Sequence, residues 1–148
     1  MIPLVYKAAR SMFAADSGAG GLTTLLTGGY FTQLAPTTAV PPFMVGSVQA
    51  DGETDSFGGN GSVGYFAFNI YTPKTNTSTG AAYSIGTQDE PIISRLMTVY
   101  HNKSTTATFN GLTWTVSFKR SSGIGIPESD FAWHHAEVYQ VTCFPTTV

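Results

Sequence analysis

The segment Asn110-Gly111-Leu112-Thr113-Trp114-Thr115-Val116-Ser117-Phe118 limits the fold more than any other stretch of the chain. Leu112, Trp114, Val116 and Phe118 alternate with Thr113, Thr115 and Ser117. Successive side chains of a strand point to opposite faces, so this period of two predicts an antiparallel strand with one apolar and one polar face. Asn-Gly suits the centre of a tight hairpin, where both residues need positive φ. Thr106–Phe109 is therefore predicted to pair with the strand that follows, and the apolar face of this hairpin requires a covering layer.

Helical spacing supplies that layer. Residues 3–15 read as a helix, with Pro3 in the first turn and Leu4, Val5, Ala8, Ala9, Met12 and Phe13 on one face. A second helix is predicted to start near Thr87-Gln88-Asp89-Glu90, which has the spacing of a capping box, and to bury Ile92, Ile93, Leu96, Met97, Val99 and Tyr100. Pro91 is tolerable only in its first turn. Leu22–Leu26 can form a further helical turn.

Phe43–Gln49 and Val63–Tyr71 read as strands, the latter with Phe66, Phe68 and Ile70 on one face. Tyr30–Leu34 can form a short strand. Pro36, Pro41 and Pro42 make the next stretch an extended connection. Residues 50–62 read as a long polar hairpin connection and Ser121–Asp130 as loop. Phe131–Phe144 reads as a long last strand with blurred alternation, consistent with a bulge. The predicted class is α+β, a mostly antiparallel sheet of four to five strands with two helices packed on it. A chain of 148 residues is most simply one domain, residues 1–148, and buries enough surface to need no disulfide or metal.

Charged residues make up 11% of the chain and aromatics 13%. Average soluble proteins carry about 25% charged residues, so this composition suits a surface covered by neighbours better than a free monomer. The seven lysines and arginines are scattered and the net charge is −2, which argues against a grip on a nucleic-acid backbone. One cysteine, Cys143, excludes an intrachain disulfide and a cysteine-rich zinc site, and fits a reducing cytosol. Lys7 and Arg10 sit inside the first apolar pattern, which is not the layout of a secretory leader, and no apolar run is long enough to span a bilayer.

Catalytic constellations fail on geometry. Gly59-Asn60-Gly61-Ser62-Val63-Gly64 matches G-x-G-x-x-G, but a loop precedes it and a strand follows, whereas pyrophosphate binding needs a helix N-terminus. His134 and His135 are adjacent on a predicted strand, so they face opposite sides and cannot easily share a metal; they are candidate interface histidines. Asp51, Glu53 and Asp55 resemble the start of a calcium loop, but Ser62 stands where the bidentate glutamate belongs. No catalytic residue, metal or cofactor is expected. Asp51, Glu53, Asp55 and Phe57 are instead a candidate contact loop, with Phe57 as an apolar anchor on a polar arm.

As an ordered series these features resemble the tail terminator (tail completion) proteins of long-tailed bacteriophages, over about residues 2–144. Leu4–Phe13 looks like that family's opening helix. Tyr30–Pro36 and then Pro41-Pro42-Phe43-Met44-Val45-Gly46 look like its extended run into the first long strand. The acidic stretch 51–57 is similar to its hairpin loop, Phe66–Pro73 to its next strand, Ile92–Tyr100 to its second helix and Trp133–Val141 to its closing strand. The resemblance implies a homo-oligomer, a hexameric ring in the virion at the head-proximal end of the tail, assembled in the host cytoplasm. Such a ring caps the tail tube at full length and presents a surface to a head-completion or neck protein. DNA passes through its channel without specific binding, and a weakly acidic ring would not hold passing phosphates. Another neck or tail-tube component, such as a head–tail connector, would use the same unit, and a small enzyme or ligand-binding domain is the alternative from a different class.

Overall fold

The computed structural model describes residues 2–49, 62–84, 87–126 and 132–146. Three helices, α1 (Ile2–Ala15), α2 (Leu22–Leu25) and α3 (Glu90–Tyr100), accompany six strands. These are β1 (Tyr30–Thr32), β2 (Phe43–Val48), β3 (Ser62–Pro73), β4 (Lys103–Phe109), β5 (Leu112–Ile126) and β6 (Ala132–Pro145). They form one curled sheet in the order β1-β2-β3-β6-β5-β4. All neighbours are antiparallel except β1 and β2, which run parallel.

The expected class of four to five mostly antiparallel strands with two helices is therefore wrong: the sheet is mixed, has six strands and carries three short helices. The physical reasons are local. β1 is three residues long and owes its strand state to β2, with which Tyr30 pairs at Met44 and Thr32 at Gly46. β5 continues past Phe118 and Arg120 into Ser121–Gly123, which read as loop, because β6 supplies ladder partners across a register shift between Arg120 and Ser122. α2 is the short helical turn expected at Leu22–Leu26, and it adds a third helix that tertiary contacts hold. The Asp16 carboxylate accepts the Leu22 N–H at 2.7 Å and also pairs with Arg95 of α3. That arginine, above all, holds the Asp16 carboxyl below the usual range.

The hairpin forms as the alternation requires. Phe109 pairs with Leu112, and Asn110 and Gly111 have φ of 50° and 76°. The second helix starts within the expected Thr87–Glu90 segment, two residues later than its capping-box motif implies: Asp89 is the N-cap and makes no side-chain cap bond. One face of the sheet meets the helices. Met44, Phe66, Phe68, Ile70, Val116, Phe118, Tyr139 and Val141 project there against Leu4, Ala8, Leu22, Leu96 and Tyr100. Rings of Phe68 and Tyr100 lie 4.5 Å apart, and the Tyr100 hydroxyl donates to the Ala9 carbonyl at 2.6 Å, which ties α3 to α1. Gly46 belongs to this face, and a Cβ there would collide with Tyr30 Oη and come within 2.7 Å of the Phe66 ring.

Candidate assembly surface

Period-two geometry sends the remaining strand residues to the other face, on which no helix packs among the described residues. Across β1, β2, β3 and β6 this face bears a row of rings. Phe31 meets Phe43 edge-on at 6.0 Å, Phe43 stacks on Tyr71 at 4.8 Å, and Tyr71 stacks on His134 at 4.3 Å. The register explains the row, since Phe43 pairs with Tyr71 and Tyr71 with His134. The connection 33–42 folds over one end of it. Gln33, Leu34, Pro36 and Ala39 enclose a groove of about 400 Å³ with Phe43, Val45 and Tyr71. Phe43 and Val45 are consequently buried although they point away from the helices.

Large apolar side chains stand exposed around this face. Leu34 is 82% exposed and Val40 67%, at the end near β1; Ile124 is 58% exposed and Phe144 51%, on β5 and β6. Between them the surface is hydroxyl-rich: Ser104, Ser117 and Thr142 line a second groove with Asn102, Gln140, Lys103 and Lys119. The surface is thus apolar at its borders, with a hydroxyl-rich groove that carries two lysines.

The two histidines separate as the strand geometry requires. His134 faces the ring row, and its Nε2 bonds Asn69 Oδ1 at 3.0 Å while Asn69 Nδ2 donates to Ser47. Burial, and then the neighbouring His135, push the His134 ring below its usual pKa. His135 faces the other way. Its Nε2 lies 3.2 Å from Glu137 Oε1 and its Nδ1 3.6 Å from Asp89 Oδ2. Glu137 is fully buried and takes a two-pronged bond from Arg120, Nε to Oε2 at 2.9 Å and a terminal nitrogen to Oε1 at 3.2 Å. Burial pushes the Glu137 carboxyl up, but the His135 and Arg120 hydrogen bonds outweigh it and leave the group below its ordinary value.

This polar cluster was not legible in the sequence. Its members come from α3, β5 and β6, and the register shift at Arg120/Ser122 aligns Gly123 with Glu137. A Cβ at Gly123 would lie 2.7 Å from the Arg120 guanidinium and 2.8 Å from Glu137 Oε2, so glycine leaves room for the pair. Arg120 and His135 satisfy the Glu137 carboxylate, whereas Asp89 Oδ1 is buried without a hydrogen-bond partner among the described residues; the cluster has no nucleophile among its members. Among the described residues no group of three or more His, Cys, Asp and Glu side chains is placed to hold a metal. The candidate contact loop, Asp51, Glu53, Asp55 and Phe57, lies outside the described residues.

No protein-family model matches the chain, and no curated protein does. A solved chain whose name states no function is similar throughout: 13% identity and a TM-score of 0.57, over 95% of this chain and 94% of that one. At that identity the likeness speaks to the fold alone. No helix among the described residues is long and apolar enough to cross a membrane.

Proposed function

We propose that the protein is a structural virion component of the tail-terminator type, a ring that caps a phage tail tube at full length and offers a surface to the neck. The observation that carries this reading is the helix-free sheet face, with Leu34, Val40, Ile124 and Phe144 exposed around it. Apolar side chains gathered at the rim of a structured surface favour protein neighbours over solvent. The low charge of the chain agrees, and so does the series of elements on which the resemblance rests. The polar cluster around Glu137 supports a structural role, because Glu137 is engaged by Arg120 and His135 within the fold.

The test is assembly on tubes. Purified chain added to polymerised tail-tube protein of the same virus should bind tube ends as rings, visible in negative-stain micrographs, and should stop further growth. Tubes that lengthen unchanged, with no density at their ends, would refute the reading.

A further inference from the structure

The sheet has two edges, and they differ in kind. At one edge β1 is short, is followed by Gln33 at φ 68° and leads into Pro36, devices that discourage further pairing. At the other, β4 is a seven-residue strand, Lys-Ser-Thr-Thr-Ala-Thr-Phe, without proline or acid, and no described strand lies beyond it.

The outward-pointing groups of β4 follow from its turn. In a two-residue hairpin the residues flanking the turn exchange hydrogen bonds, and such pairs alternate down the ladder. Phe109↔Leu112 is that pair, so Ala107, Thr105 and Lys103 also bond β5. The N–H and C=O groups of Ser104, Thr106 and Thr108 must then face away from the sheet. The Thr108 carbonyl does so, since it accepts Lys7 Nζ at 3.1 Å.

We infer that the unassembled protein pairs with a second copy of itself through this edge, β4 against β4, antiparallel, with Thr106 opposite Thr106. The inference does not depend on the tail-terminator reading. The register is self-complementary. It sets Ser104 against Thr108 of the second copy, so every outward group of these residues finds a partner, and hydroxyl residues face one another, a favourable cross-strand pairing. Lys103 falls opposite Phe109 of the second copy, about 20 Å along the strand from the other Lys103 at roughly 3.4 Å per residue. One cost is built in. Lys7, held at Thr108, comes beside Lys103 of the second copy. That repulsion keeps the pairing reversible and makes it tighten as salt rises.

Sedimentation of the isolated full-length chain tests this. A monomer–dimer equilibrium is expected, shifted towards dimer between about 0.1 and 0.5 M salt. Thr106→Pro removes an outward N–H that β5 does not use and should leave a folded monomer. Lys103→Glu places a carboxylate beside Lys7 of the second copy and should tighten the dimer about tenfold. Should the proline variant fold poorly, Thr106→Cys decides, because the two sulfurs would meet across the two-fold and cross-link under mild oxidation, whereas the native Cys143 is buried. A wild-type monomer at every salt concentration, an unaltered dimer in folded Thr106→Pro, a Lys103→Glu dimer no tighter than wild type, or no cross-link would each overturn the proposal. Rings that form on tubes equally well with Thr106→Pro would leave the assembly reading standing whatever the fate of the β4 pairing.

Discussion

Arg120 and Glu137 form a bidentate ion pair across β5 and β6, with Glu137 sealed from solvent and Arg120 partly open to it. The pair sits beside the register shift between Arg120 and Ser122. Removing one partner of a buried pair leaves the other uncompensated, so Glu137→Gln should destabilise the protein by about 3 kcal/mol. Denaturant unfolding measures this. A loss under about 1 kcal/mol would mean the pair contributes little beyond an ordinary hydrogen bond.

Acid should weaken the fold in two stages. The folded-state pKa of His134 is depressed, so the unfolded chain takes up this proton first and stability falls as pH drops below about 6.5. Glu137 and Asp16 are also depressed, so their contribution is complete above their unfolded values, near 4, and is lost as pH falls through the lower folded ones. Unfolding free energies from pH 8 to 3 should show both declines. His134→Phe should remove its share of the upper decline and leave the lower; an unchanged upper decline would assign it to other groups.

Gly46→Ala should cost about 1–3 kcal/mol, because the new methyl meets Tyr30 Oη and the Phe66 ring. Tyr30→Phe removes one of those obstacles, a hydroxyl that is buried with no hydrogen-bond partner among the described residues. The double variant should therefore lose less than the sum of the two single ones. Strict additivity in thermal or denaturant unfolding would place the strain elsewhere.

Gly111→Ala should cost about 1 kcal/mol, since Gly111 sits at φ 76° and alanine is strained there. An unchanged midpoint in urea would show that the turn relaxes into another type at no cost.

The parts of the fold that were legible in the sequence rest on short-range pattern. The Leu112–Phe118 alternation, the Asn110-Gly111 turn, the apolar stripe of α1 and the opposite directions of His134 and His135 are all set by residues within a turn or a strand of one another. What was missed depends on distant partners. Pairing with β6 carries β5 through Ser121, Ser122 and Gly123, and the parallel pairing of the expected Tyr30–Thr32 strand with β2 has no local signature. The burial of Phe43 and Val45 on the helix-free face needs the connection 33–42, whose prolines indicate an extended path but not its destination. The Arg120–Glu137–His135–Asp89 cluster joins residues up to three elements apart, and no local spacing announces it.

The place of β6 bears on how the protein is made. It is the last strand in chain order, yet it lies in the middle of the sheet between β3 and β5. Until residues 132–145 have left the ribosome, the β1-β2-β3 half and the β4-β5 hairpin have no shared ladder and no continuous core. Synthesis proceeds at about 5–20 residues per second, so the two halves wait several seconds with apolar faces open. The closing strand joins them in a single late step. Nascent chains halted before Ala132 should remain protease-sensitive throughout, and resistance should arise abruptly rather than grow with length.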